Sequence, residues 1–264
     1  MKQTGQTGIR GFLLFWVGQV VSLLGTSMTL FALTIWAFEA TGRATDLALI
    51  GAFYTLAMLL VSPFGGVIVD RYHRKYVMMV SDLGAGLVTV ALFILLSTGR
   101  LAIWHLYVAA LVQGAFQSVQ WPASSAVIPL MLPKEQYTRA NSLMNLAGPS
   151  AQIFAPLLAG ALLGTIGITG VMVIDIVSFV FAISALALVA VPRAASSASP
   201  DGAGGVWGEI VFGFRYIWQR PSLLGLQTIF LLGNFLYTVA AVLVAPLILS
   251  RSGNDELLLG AAQT

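Results

Sequence analysis

The chain has 264 residues, of which 58% are hydrophobic and only 9% charged, with a formal net charge of +3. A mean hydropathy of +0.90 lies far above that of a soluble globular chain, and apolar runs of roughly 20 residues recur, so a water-soluble all-helical core is set aside. The pI near 9.4 is read as basic loops beside a membrane rather than a nucleic-acid partner, and the absence of cysteine removes disulfide and thiolate chemistry.

Seven apolar spans are expected, at residues 12–38, 46–69, 76–97, 104–128, 140–164, 170–191 and 223–249, with an eighth starting near Leu257. The first is 27 residues long and has no convincing small-residue cleavage site, which does not suit a signal peptide. Glu39 stands at its far end. Between the second and third spans, Gly65-Gly66-Val67-Ile68-Val69-Asp70-Arg71-Tyr72-His73-Arg74-Lys75 gathers charge in a chain that has little. Gly65 and Gly66 are expected to let a neighbouring helix approach. Asp70 is expected to accept hydrogen bonds from the amides that open the third helix. Arg71, Arg74 and Lys75 suit an anionic inner leaflet.

Charge sets the orientation. With the N-terminus in the cytoplasm, ten of the 13 Lys and Arg fall inside and three, Arg43, Arg100 and Arg251, fall outside. After the sixth span, residues 192–206 have the Pro, Ser and Gly composition of a flexible cytoplasmic linker. Residues 207–218 then place Trp207, Ile210, Val211, Phe214 and Trp218 on one stripe, as in an amphipathic helix on the inner membrane surface. Pro221 separates it from the seventh span.

Polar groups at membrane depth are costly and need a reason. Asp82 lies about two turns into the third span and Asp175 about one turn into the sixth. Each is a candidate proton carrier, as is Glu39; the alternative is a structural pairing with a neighbouring helix, or a hydrated rim position for Glu39. Gln19, Gln113, Gln117, Asn145, Gln152 and Asn234 must face protein or water rather than lipid. Trp36, Phe53, Tyr54, Phe116 and Trp121 offer aromatic surface to an amphipathic ligand, or simply pack. There is no phosphate-binding Gly-x-x-x-x-Gly-Lys-Ser/Thr loop and no metal-ligand spacing, so no enzyme, cofactor or metal site is expected.

Gly66-x-x-x-Asp70-Arg71-x-x-Arg74-Lys75 resembles the loop motif between the second and third helices of major facilitator superfamily transporters, with His73 where that motif has its second glycine. The stretch from Trp121 to Asn145, with Pro122, Ala123, Ala126, Ile128, Pro129 and Pro133 ahead of Ala140-Asn141-Ser142-Leu143, is similar to the macrolide-efflux and enterobactin-exporter branch of that superfamily. So is the join Glu39-Ala40-Thr41-Gly42 followed by Asp46. In the fifth span Ser142, Ala151, Ala155, Pro156, Ala159 and Gly160 follow the spacing of its antiporter motif, mostly with Ala or Ser in place of Gly. Gln113-Gly114 resembles a motif of proton-coupled exporters whose arginine is Ala110 here.

The resemblance implies an all-α membrane fold. Residues 1–191 would form an N-terminal six-helix half, and residues 207–264 an amphipathic helix, the seventh helix and the start of an eighth, so that the chain stops about 150 residues short of two full halves. It implies a secondary active transporter of the cell (inner) membrane, monomeric when full length, working by alternating access. Proton-driven efflux of a small amphipathic drug or metabolite, macrolide-like or siderophore-like, is the reading; uptake by symport, lysolipid flipping, or a non-transporting sensor or assembly partner are the alternatives. Gly66, Asp70, Arg71, Arg74 and Lys75 would act as a gate, Pro156 and Gly160 would serve helix packing and bending, and Gln19, Trp36, Gln113, Gln117, Asn145, Gln152 and Asn234 would lie along the substrate path.

Overall fold

The computed structural model describes residues 8–192 and 205–252, and all of its described elements are helical. The helices are α1 (Gly8–Thr41), α2 (Ala44–Arg71), α3 (Arg74–Ser97), α4 (Ile103–Met131), α5 (Tyr137–Leu188), α6 (Gly205–Trp218) and α7 (Pro221–Ser252), with a short 3₁₀ turn at Lys134–Gln136. Two compact units result, Met1–Gly202 and Ala203–Thr264.

The helical run of α5 hides a turn. Gly167 adopts φ 67° and ψ −178°, a combination open in practice only to glycine. It divides α5 into two limbs, residues 137–166 and 168–188, which match the expected fifth and sixth spans. Their directions follow from their partners on α1. Trp16 Nε1 donates to the Leu143 carbonyl at 2.9 Å, and Met28 and Ala32 pack on Ala155 and Ala159, so the first limb runs parallel to α1. Gly18 meets Ala182 and Ala185, while Gly25 meets Ser178 and Asp175, so the second limb runs antiparallel. α1 is therefore flanked by both limbs of one hairpin.

The same reading orders the rest of the first unit. α2 and α4 are parallel, with Asp46 beside Tyr107 and Gly65 against Ser118. α3 and α4 are antiparallel, with Arg74 at Ala126 and Gly84 against Phe116. One end of the unit thus carries Arg10, Arg71, Arg74, Lys75, Lys134 and Arg139; the other carries Arg43 and Arg100. Phe12, Phe15, Met78, Met131, Leu132 and Leu186 are buried together towards the basic end. Leu33, Ala37, Ile50, Leu92, Leu106 and Met172 form a second cluster towards the opposite end.

The outer surface is apolar. Leu59 and Leu60 of α2 are 67% and 62% exposed, Leu157 of α5 65% and Val177 63%, whereas buried positions include Asp175, Thr89 and Ser81. Greasy outside with polar groups inside is the pattern of a protein solvated by lipid. Among the described residues, Gly8–Thr41, Ala44–Arg71, Arg74–Ser97 and the two-limbed run Lys134–Leu188 are long and apolar enough to cross a membrane. The fourth expected span differs. α4 has the length, but Gln113, Gln117, Gln120, Ser118, Ser124 and Ser125 lower its hydropathy.

In the second unit, α6 exposes Trp207, Val211, Phe214 and Trp218. Phe212 and Tyr216 are exposed as well, outside the expected stripe, and the Arg220 guanidinium lies 3.5 Å from the centre of the Tyr216 ring. α7 begins with Pro221, a favoured first helical residue because its missing N–H would have no partner there. Most of the expected linker, and the expected eighth helix near Leu257, lie outside the described residues.

Candidate functional site

Two buried carboxylates organise the first unit. Asp82 of α3 accepts from Gln19 Nε2 of α1 at 2.9 Å and from Gln120 Nε2 of α4 at 2.8 Å. Gln120 Nε2 also donates to Gln19 Oε1 at 3.0 Å. Three helices are tied by one carboxylate and two amides. Asp175, on the second limb of α5, is 1% exposed. It accepts from Thr26 Oγ1 of α1 at 3.0 Å and from Thr89 Oγ1 of α3 at 3.1 Å. Such bonds offset the cost of burying charge.

The two centres are in register. Gln19 and Thr26 are seven residues apart on α1, and Asp82 and Thr89 are seven apart on α3. Seven helical residues make two turns, a rise of about 10.5 Å, and return to nearly the same face. Asp82 therefore lies nearer the basic end, with Asp175 about two turns deeper along the same pair of helices.

Both carboxylates line one cavity of about 580 Å³. Its wall runs from Leu33, Ile50 and Leu106 of the outer cluster to Trp16 and Ser124 on the basic side. Tyr54, Phe116, Trp121 and Phe179 supply aromatic surface. Size and character suit a small amphipathic molecule: mostly apolar walls with a few placed polar groups.

Of the residues expected along the path, Gln19, Gln113, Gln117 and Gln152 line this cavity. Trp36 does not; it packs with Phe53 against the outer cluster. Asn145 is exposed and does not line the cavity, although the adjacent Met144 does. Asn234 belongs to the second unit, where its Nδ2 donates to the Phe230 carbonyl of its own helix at 2.8 Å. Glu39 is exposed at the end of α1, as a rim acid would be. On the first limb of α5, Ala151, Ala155 and Ala159 are buried, so alanine makes the close contact with α1. A Cβ on Gly160 would meet nothing among the described residues, and Ser142 is exposed. Pro156 sits half-buried within the helix.

Sequence reasoning passed over Gln120, Thr26 and Thr89, which hold the two carboxylates. Gln120 follows Gln117 by three residues, close enough in angle to share its wall, and that spacing was the available signal.

A family described as the Major Facilitator Superfamily matches residues 15–262, nearly the whole chain. The chain belongs to this superfamily. Among similar proteins, macrolide efflux protein A of Streptococcus pyogenes is 26% identical over 187 residues, covering 69% of this chain and 45% of that protein. The uncharacterized MFS-type transporter YfiS of Bacillus subtilis is 29% identical over 167 residues, covering 63% of this chain and 39% of the relative. The enterobactin exporter EntS of Citrobacter koseri is 31% identical over 114 residues, covering 42% and 27%. The chain matches less than half the length of each of these three relatives. It is a multi-pass membrane protein of a transporter superfamily, with relatives named for efflux of drugs and of enterobactin.

The superfamily's loop motif is built differently from expectation at two points. Asp70 does not open α3. It lies exposed in the last turn of α2, which continues through Arg71. The residue before α3 is His73, whose Nδ1 accepts from the Lys75 amide at 3.3 Å. The residue that departs from the motif thus takes the capping role, because it sits next to the helix and Asp70 sits a turn too early. The glycines also divide. A Cβ on Gly65 would lie 2.8 Å from the Ser118 carbonyl, whereas one on Gly66 would meet nothing. Only Gly65 admits α4.

Two basic residues of the motif bind backbone carbonyls of other helices. Lys75 Nζ donates to the Ala187 and Val189 carbonyls at 2.7 and 2.8 Å, where the C-terminus of α5 leaves acceptors free and a cation suits the helix dipole. Arg74 Nη1 donates to the Ala126 carbonyl inside α4 at 2.5 Å. At the opposite end, Tyr107 donates to Asp46 Oδ1 at 2.8 Å, and Arg43 approaches Oδ2 at 3.9 Å.

Proposed function

We propose that this chain works in a proton-driven exporter, moving small amphipathic drugs or metabolites, macrolide-like or siderophore-like, by alternating access. The observation that carries the reading is the cavity holding both Asp82 and Asp175 between apolar clusters. Acids at this depth exchange protons at a cost set by their surroundings, which is what coupling a proton to a cargo requires. The efflux names of the relatives support export over uptake.

In this reading the protein lies in the inner membrane as a monomer with its N-terminus in the cytoplasm, which fits the basic end of the first unit. Residues 1–191 act as one rocking half and residues 207–264 contribute to the other, joined by the linker at 192–206. Gly66, Asp70, Arg71, Arg74 and Lys75 act as the inner gate, and exposed Asp70 is the member free to meet a partner half. Asp82 and Asp175 are the proton-exchange candidates. Glu39, exposed at the rim, has a weaker geometric claim.

Inverted membrane vesicles test this. Dye or drug uptake into vesicles containing the protein is expected to follow an imposed pH gradient and to stop when it is collapsed. Uptake indifferent to the gradient would overturn proton coupling, and cargo movement in the opposite sense would overturn export.

A further inference from the structure

Two phenylalanines of the cavity lining are seated on glycines of one helix. Phe116 of α4 lies against Gly84 of α3, and Phe179, on the second limb of α5, lies against Gly86 of α3. A Cβ built on Gly86 would stand 2.6 Å from the Phe179 ring, and one on Gly84 would come closer still to the tip of Phe116. Neither ring could keep its place beside an alanine. Both phenylalanines are half-buried, resting on the α3 backbone and also facing the cavity.

Register sets the level of the two rings. Gly84 and Gly86 fall between Asp82 and Thr89 on α3. Phe116 precedes Gln120 by four residues and Phe179 follows Asp175 by four, each about one helical turn. Because α4 runs towards the basic end, Phe116 lies one turn beyond Gln120, away from that end. The second limb of α5 runs the same way, so Phe179 lies one turn from Asp175 towards it. Both rings therefore stand between the two carboxylate centres, in the middle of the cavity wall.

Glycine inside a helix costs about 1 kcal/mol relative to alanine, and α3 carries it at two positions only two residues apart. Alanine at either position would push a ring edge off α3. The protein side is close-packed, so the space open to the ring is the cavity, which would narrow. A change of one methyl in an apolar pocket discriminates between ligands by about 1–3 kcal/mol.

We propose that Phe116 and Phe179, set back on Gly84 and Gly86, determine the size of molecule this cavity admits. The two glycines hold the rings out of the middle of the cavity and leave room there for a broad, rigid ring system. The inference rests on reading the cavity as the cargo path and adds a limit on the width of the cargo, whatever its charge.

Two neutral fluorophores test this by equilibrium binding to the purified chain in detergent. N-phenyl-1-naphthylamine is slender and jointed; Nile red is broad and rigid. The parent chain is expected to bind both. Gly84→Ala and Gly86→Ala are each expected to weaken Nile red by at least about tenfold and N-phenyl-1-naphthylamine by less than about twofold. Adding Phe116→Leu to Gly84→Ala, or Phe179→Leu to Gly86→Ala, should restore Nile red binding, a recovery that a folding defect cannot produce. Failure of the parent chain to bind Nile red, equal losses of both probes, undiminished Nile red binding in either alanine variant, or no recovery on shortening the ring would each overturn the proposal. Size-selective binding without proton-driven transport would leave this inference standing and remove the exporter reading; proton-driven transport with the same range of cargo sizes in Gly86→Ala would do the reverse.

Discussion

Asp82 and Gln120 join α3 to α4 through a 2.8 Å hydrogen bond from the Gln120 amide nitrogen to Asp82 Oδ1. The pair makes α4 part of the cavity wall as well as a packing element, and it lies nearer the basic end than Asp175. Replacing Asp82 with Asn keeps the size and a hydrogen-bonding group while removing the charge. Proton-driven transport in vesicles is expected to fall by about tenfold or more, equivalent to ~1.4 kcal/mol in the barrier, with thermal unfolding little changed. Full transport in Asp82→Asn would shift the coupling role to another group.

Asp175 tests burial. Thr26→Val and Thr89→Val each remove one donor from a carboxylate that is 1% exposed. Each is expected to destabilise the protein by about 1–3 kcal/mol, the cost of leaving a buried polar group short of a partner. The double variant should depart from additivity because both donors serve one carboxylate. Thermal unfolding in detergent reads the effect, and an unchanged midpoint for both single variants would mean that Asp175 does not depend on these hydroxyls.

The two motif glycines predict opposite outcomes from the same substitution. Gly65→Ala forces a methyl against the Ser118 carbonyl and is expected to cost about 1–3 kcal/mol as overpacking. Gly66→Ala meets nothing and is expected to be neutral or to stabilise α2 by up to ~1 kcal/mol through helix propensity. Indistinguishable unfolding midpoints would contradict the α2–α4 contact.

Lys75 is expected to matter at the C-terminus of α5, far away in sequence. Lys75→Met removes two hydrogen bonds to the Ala187 and Val189 carbonyls and is expected to cost about 0.5–2 kcal/mol. Hydrogen exchange should quicken around residues 185–191, and Lys75→Arg should restore protection there. Faster exchange confined to the loop itself would count against the long-range cap.

Exposure makes Asp70 a test of function more than of stability. Asp70→Asn should leave the unfolding midpoint within about 0.5 kcal/mol, as for other surface changes, while slowing transport if the residue meets a partner half. Normal transport rates would remove Asp70 from the gate.

The sequence carried depth well and azimuth poorly. Span lengths and the Lys/Arg bias located the helices and ordered their ends. Gln19 and Gln113 were legible because an amide at that depth needs a reason, and Gly65 because a small residue admits a neighbouring helix. Trp36 and Asn145 fall outside the cavity lining for a shared reason: α1 and α5 are apolar on nearly every face, so periodicity gives no direction, and only tertiary contact decides which side meets the cavity. Thr26 and Thr89 escaped notice because threonine inside a helix can bond its own backbone, and nothing local reveals that these two reach a carboxylate on another helix. The cap at His73 was obscured by the family motif, which directed attention to Asp70.

The amides and serines on α4 also have a consequence for biogenesis. During synthesis each segment partitions from the translocon into lipid according to its own hydropathy, and α4 is the least suited of the long helices in the first unit to do so alone. Gln120 finds its acceptors on α1 and α3, and the helix as a whole packs against α2 and α3. α4 is thus the segment whose insertion depends most on helices made before it. Substitutions in α2 or α3 that weaken their contacts with α4 should lower the yield of inserted protein before they alter the behaviour of molecules that do fold.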